Sequence, residues 1–166
     1  MKRIVFSIIA ISGIALISCK KTTDPVTPAE PGLCTVTGNV LAPLDLSNDT
    51  TDAGVFTSGL HNENVTNVGM TFVVDSKNLD HNPDASYDYQ DLTYSTTVTD
   101  GVFSIQLPAI STPYTVDVYL DEFNADQRQY TPGEVNFENK LFSVGAMTVG
   151  NITNGATRVV NFNYSF

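Results

Sequence analysis

From Leu33 onward the chain alternates apolar and polar residues. Cys34, Val36, Gly38 and Val40 fall on one side, and Thr35, Thr37 and Asn39 on the other. That period of two predicts a half-buried strand. Residues 68–75 predict a second, with Met70, Phe72 and Val74 on one face. Residues 87–98 form a third β-prone stretch. Asp100-Gly101 then supplies the turn of a tight hairpin, because glycine accepts positive φ. Residues 102–107 return, with Phe103, Ile105 and Leu107 on one face, and Pro108 ends them. Residues 114–123 alternate again: Tyr114, Val116, Val118 and Leu120 oppose Thr115, Asp117, Tyr119 and Asp121. Residues 124–133 read as a loop. Residues 135–144 and 147–149 are strand-like. The chain closes with Val160, Phe162, Tyr164 and Phe166 alternating with Asn161, Asn163 and Ser165.

No window carries a helical period with caps. About seven strands with polar turns predict an all-β fold, a single β-sandwich of Greek-key order. Two facing sheets about 10 Å apart bury apolar faces that one sheet would leave wet. Phe103, Ile105, Val116, Val118, Val160 and Phe162 are the expected core. Residues 43–64 are a long polar loop, with a short strand expected around Val55-Phe56. Residues 76–86 are rich in Asn and Asp and contain Pro83.

The start of the chain has a different character. Lys2 and Arg3 precede an almost unbroken apolar run from Ile4 to Ile17, which ends in Leu16-Ile17-Ser18-Cys19. The run is short for a membrane span, which needs about 20 apolar residues. It has the layout of a secretory signal. Its end resembles the bacterial lipobox, where signal peptidase II cuts before a cysteine that carries lipid. The resemblance implies a signal over residues 1–18 and lipid attachment at Cys19. Residues 20–32 hold Pro25, Pro28 and Pro31 among threonines, so residues 19–32 read as a lipidated cysteine and an extended linker. The sandwich is expected over residues 33–166. Lys20, Lys21 and Thr22 follow the cysteine, where the aspartate resembling an inner-membrane retention signal is missing. That implies an outer-membrane lipoprotein facing the periplasm or the exterior.

Charge changes the picture of partners. The chain carries 8 Lys+Arg against 18 Asp+Glu. Loss of Lys2 and Arg3 with the signal leaves six basic against eighteen acidic residues. That excess argues against nucleic acid and against a flat anionic lipid surface. With Cys19 lipidated, Cys34 stands alone and reads as a small buried side chain. His61 and His81 are the only histidines. The sequence holds no H-E-x-x-H, G-x-S-x-G, C-x-x-C or phosphate-cradling glycine loop. No cofactor is expected.

Two clusters are candidates for chemistry. Asn78, Asp80, Asn82 and Asp84 alternate in one segment, the spacing of oxygen ligands for calcium in a turn. The glycine and terminal glutamate of the EF-hand loop are missing, and a solvated loop built on Asx turns explains the same residues. Tyr87, Tyr89, Tyr94, Tyr114, Tyr119 and Tyr130 offer rings for stacking against sugar or peptide. In strands such rings also serve as core or cross-strand pairs. His61 with Glu63 is a close His/acid couple that also suits a loop surface.

The run Thr37-Gly38-Asn39-Val40, then Val68-Gly69-Met70, then Thr99-Asp100-Gly101-Val102-Phe103-Ser104-Ile105-Gln106-Leu107-Pro108 and Tyr114-Thr115-Val116-Asp117-Val118 resembles the transthyretin-like (prealbumin-like) sandwiches, including carboxypeptidase regulatory-like domains. With the lipobox-like start, the chain resembles the small lipoproteins of Bacteroidota. It departs from that pattern between Val40 and Val68, where such domains have only a short connection. The resemblance implies a non-enzymatic envelope module for a protein, peptide or glycan partner. The competing expectation is an accessory hydrolase or metal-dependent enzyme acting on glycans or peptides through carboxylates of residues 75–91.

Overall fold

The computed structural model describes residues 30–166. The signal at 1–18, Cys19 and the linker up to residue 29 lie outside the described residues. Among the described residues the chain forms eleven strand segments and two short 3-10 turns. Strand β1 (Gly32–Ala42) is followed by β2 (Glu63–Asn64), β3 (Val68–Asp75), β4 (Asp91–Val98), β5 (Val102–Ala109) and β6 (Tyr114–Leu120). Then come β7 (Phe123–Arg128), β8 (Phe137–Phe142), β9 (Met147–Ile152), β10 (Thr157–Val159) and β11 (Phe162–Asn163).

The strands build two sheets and a ribbon. The first sheet places β1 between β5 on one side and β10 with β11 on the other, with β2 at the far end of β1. The second runs β4-β3-β6-β9, and β7 pairs with β8 in the ribbon. The expected fold class, an all-β sandwich, is the one the chain adopts. The strand count exceeds the expected seven. The segments not expected from the sequence are β7 and the short β2 and β10.

Period two set the faces. In β6 burial alternates without a break, with Tyr114, Val116, Val118 and Leu120 inside. Phe72 of β3 meets Phe103 of β5 across the sheets at 6.1 Å between ring centroids, and Phe103 meets Phe162 at 5.7 Å. Of the expected core, Phe103, Val116, Val118 and Phe162 are buried, whereas Ile105 and Val160 pack on the core only partly covered. Cys34 is a buried free cysteine on β1. Tyr114 donates to the Pro108 carbonyl and Tyr164 to that of Asp121. Desolvation pushes both phenols well above the ordinary tyrosine range.

The Asp100-Gly101 turn forms as expected, with φ of 50° and 75°. The hairpin does not. Only Thr99 and Val102 bridge next to the turn; β4 then pairs with β3, and β5 with β1. The turn therefore carries the chain from one sheet to the other, because both flanking strands have apolar faces that need opposite sides of one core. Pro108 does not stop β5, which runs to Ala109. An edge strand tolerates proline because one row of its N–H groups needs no partner.

Gly38 resolves a conflict at the last strand. β10 pairs parallel with Thr35–Thr37 and β11 with Val40 and Leu41. Between them Val160 donates its N–H to the Thr37 carbonyl, and the Asn161 side chain accepts the Asn39 N–H at 3.0 Å. A Cβ at position 38 would fall on the Val160 carbonyl. Glycine permits this close approach.

Of residues 124–133, expected as a loop, the first half, 124–128, is strand. Phe123, Ala125 and Gln127 face inward along β7. Gln127 is fully buried and donates to the Pro43 carbonyl at 2.7 Å. A glutamine at an inward position masks the alternation, because its amide is satisfied by backbone instead of by water. Phe123 stacks on Phe142 and meets Tyr164 edge-on, which fastens the ribbon to the sandwich.

Residues 43–64 are organised by two carboxylates. Glu63 accepts the N–H groups of Leu44 and Asp45 at 2.8 and 3.0 Å, and the Asn48 amide at 2.9 Å. Asp49 is fully buried and accepts the N–H groups of Gly59 and His61 at 2.6 and 2.7 Å. The strand expected at Val55-Phe56 is reduced to one bridge between Thr50 and Phe56. Both residues are exposed, so no buried face draws them into a sheet.

Candidate functional site

The two clusters read from sequence meet in one place. An open groove of about 640 Å³ is lined by Asp80, His81 and Asn82 together with Tyr87 and Tyr89. Glu30 and Pro31 border it, so it lies where the chain enters β1. The groove belongs to a loop whose ends are tied together: Ser76 donates its N–H to the Gln90 carbonyl, and Gln90 donates its N–H to the Ser76 hydroxyl at 2.9 Å. Loops closed at the base and packed by their own side chains are common sites of function.

The loop shapes itself with Asx turns. Asp75 accepts the Lys77 N–H, Asp80 the Asn82 N–H and Asp84 the Ser86 N–H, each at 2.8–2.9 Å. The Tyr89 hydroxyl donates to the second oxygen of Asp80 at 2.7 Å and accepts the Asp84 N–H at 3.0 Å. Tyr89 is thereby held at its far end. Tyr87, 67% exposed, packs edge-on against it with centroids 4.8 Å apart. The pair presents one ring to solvent from a braced support.

Electrostatics follow the same bonds. The Asn82 N–H, then the Tyr89 hydroxyl, hold the Asp80 carboxyl below the usual range. The Ser86 N–H and hydroxyl do the same for Asp84. The hydrogen bond to Asp80 raises the Tyr89 phenol. The Asp80–Tyr89 contact therefore keeps its charge-assisted form at neutral pH and is lost only as pH falls through the depressed Asp80 value.

The calcium spacing is spread over different tasks. Asp80 and Asp84 accept hydrogen bonds from their own loop, and Asn78 lines a neighbouring recess with Pro113 and Tyr114 that shares Asp80 and His81 with the groove. Among the described residues no three His, Cys, Asp or Glu side chains are grouped to hold a metal. Of the other candidate tyrosines, Tyr114 is in the core. Tyr130 lies far along the chain from the groove and stacks on Phe56 at 4.5 Å. His61 turns toward Asp49 and the Asn48 carbonyl, and Glu63 serves the backbone of Leu44 and Asp45. Sequence reasoning named Tyr89 and Asp80 separately. Their spacing of nine gives no signal of contact, because it depends on how the loop closes.

Comparison with protein-family models finds no family that matches the chain, and comparison with curated proteins finds no match either.

Proposed function

We propose that this chain is an outer-membrane lipoprotein of the Bacteroidota type, anchored through Cys19, whose transthyretin-like sandwich is a non-enzymatic binding module for a peptide or glycan. The observation that carries the binding reading is the braced Tyr87–Tyr89 pair beside Asp80 and Asn82. An exposed ring gives apolar contact area, and adjacent carboxylate and amide oxygens suit hydroxyl and N–H groups of a ligand. A ring that is already immobilised loses little freedom on binding. The lipobox-like ending at Cys19 supports the anchor.

Two measurements test this reading. Labelled palmitate is expected to enter the wild-type chain in cells and not Cys19→Ala. Equal labelling removes the anchor from the proposal. The full chain, applied to a glycan array and to immobilised envelope peptides, is expected to retain ligands that Tyr87→Ala binds roughly threefold to tenfold more weakly. Turnover on a glycoside and peptide hydrolase panel, abolished by Asp80→Ala or Asp84→Ala, would replace binding with the hydrolase reading.

A further inference from the structure

The ribbon leaves one edge open. β8 pairs with β7 through Phe123↔Phe142 to Arg128↔Phe137, and no other described strand pairs with it. The direction of its free backbone groups follows from both ends. Just past β8, Ser143 and Ser165 exchange N–H···O bonds of 2.9 and 3.1 Å. The N–H and C=O of Ser143 therefore point away from β7. Alternation aims those of Leu141, Asn139 and Phe137 the same way. Asn136, of the other parity, gives its carbonyl to Gln129 across the ribbon. Phe137, Asn139 and Leu141 thus expose an unpaired ladder; the Ser143–Ser165 bridge closes the edge just beyond it, and the Phe166 ring reaches back to Lys140, whose Nζ lies 5.7 Å from its centroid.

Edges are normally blunted by proline, bulges or charged side chains. The two charges on this edge, Glu138 and Lys140, bridge each other at 2.7 Å, and apolar residues stand on either side of them. Here Phe137 and Leu141 are 56% and 51% exposed. The sequence around Asn139 is complementary to itself when reversed: Phe137 matches Leu141, and Glu138 matches Lys140.

We propose that two copies of this chain pair antiparallel through β8 about a two-fold axis at Asn139. In that register Asn139 faces the partner's Asn139, and Phe137 faces the partner's Leu141. These are the positions whose N–H and C=O point outward, so each forms a hydrogen-bonded pair. Glu138 faces the partner's Lys140 at the closer, non-hydrogen-bonded positions. Apolar pairs and opposite charges directly across a ladder are both favourable. The interface is isologous and closes at two copies. A shift by two residues loses this match: it sets Phe137 against the partner's Asn139 and Glu138 against the partner's Glu138, or Leu141 against Asn139 and Lys140 against Lys140.

Asn139→Cys tests the axis, since facing Cα atoms about 5.5 Å apart suit a disulfide. The full chain is oxidised in membranes of expressing cells and run without reductant. Asn139→Cys is expected to give a dimer band. The wild type is not, and neither is Ser104→Cys, an exposed position on β5. Adding Lys140→Glu sets carboxylates against each other and is expected to lower the cross-linked fraction roughly tenfold. Adding Glu138→Lys as well restores the opposite pairs and is expected to bring the band back. Leu141→Pro removes one outward N–H without touching the bonds to β7 and is expected to abolish it. A missing band for Asn139→Cys, an equal band for Ser104→Cys, or a band indifferent to Lys140→Glu overturns the proposal. Failure of the double charge swap to restore the band overturns the register, and the proposal with it.

Discussion

Phe103→Ala is expected to destabilise the folded chain by about 4 kcal/mol, within the range for a buried phenylalanine truncated in a core. Phe103 lies on β5 of the first sheet, touches Phe72 of the second and also packs on Phe162. Its loss removes the contact that joins the sheets at the point where β4 has crossed to become β5. The neighbouring strands β1 and β3 are held by ladders on both sides, so the cavity cannot easily collapse. A domain of this size has about 5–15 kcal/mol in total, so the variant stays folded at 25 °C but melts roughly 10 °C lower. Thermal and urea unfolding of the full chain measure this. Phe56→Ala is the comparison. Its ring is also stacked, on Tyr130, but is 38% exposed, and the expected cost is below about 1 kcal/mol. Equal losses in the two variants would show that the inter-sheet aromatic contact is not what holds the sandwich.

Asp49→Ala is expected to cost about 3 kcal/mol. The fully buried carboxylate collects the N–H groups of Gly59 and His61, ten and twelve residues on. Alanine leaves both donors without an acceptor, and hydrogen bonds to a charged group are each worth roughly 1.5–3 kcal/mol. Water reaching the loosened loop returns part of that, which sets the expected value below the full sum. Asp49→Asn keeps one carbonyl oxygen and is expected to lose about half as much. Asp52→Ala, at an exposed position of the same loop, is expected to change stability by less than about 0.5 kcal/mol. Limited proteolysis of Asp49→Ala should cut within residues 50–62 first. Stability and cleavage indistinguishable from Asp52→Ala would mean that the loop does not depend on this carboxylate.

The expectation of a loop at 43–64 and its actual construction show where sequence reading stops. Polar composition and turn residues were enough to predict a loop. They did not reveal that Asp49 is among the most buried side chains in the molecule, because a carboxylate is buried only when specific N–H groups converge on it, and that convergence is made by the path of the chain. Gln127 misled in the opposite direction. Read as polar it broke the alternation of β7, yet its amide is satisfied by the Pro43 carbonyl, 84 residues away.

Strand identity was a local matter. Alternation over 34–40, 68–75 and 114–120 is a property of consecutive residues, and a one-residue slip would invert every face. Side-chain period therefore determined these strands, their inner faces and the all-β class without reference to the rest of the chain. The positive-φ turn at Asp100-Gly101 was local for the same reason. Pairing was not. Whether β4 continues into β5 as a hairpin or as a crossing between sheets depends on where β3 and β1 lie, and nothing within residues 91–109 contains that information. The groove is of the second kind as well: Tyr89 meets Asp80 only once Ser76 and Gln90 have closed the loop. The open edge of β8 mixes the two. Its self-complementary run can be read in five letters of sequence, but that the edge is free, and that Phe137, Asn139 and Leu141 are the residues whose backbone groups face outward, was decided by the ribbon's pairing with β7 and by Ser165 against Ser143.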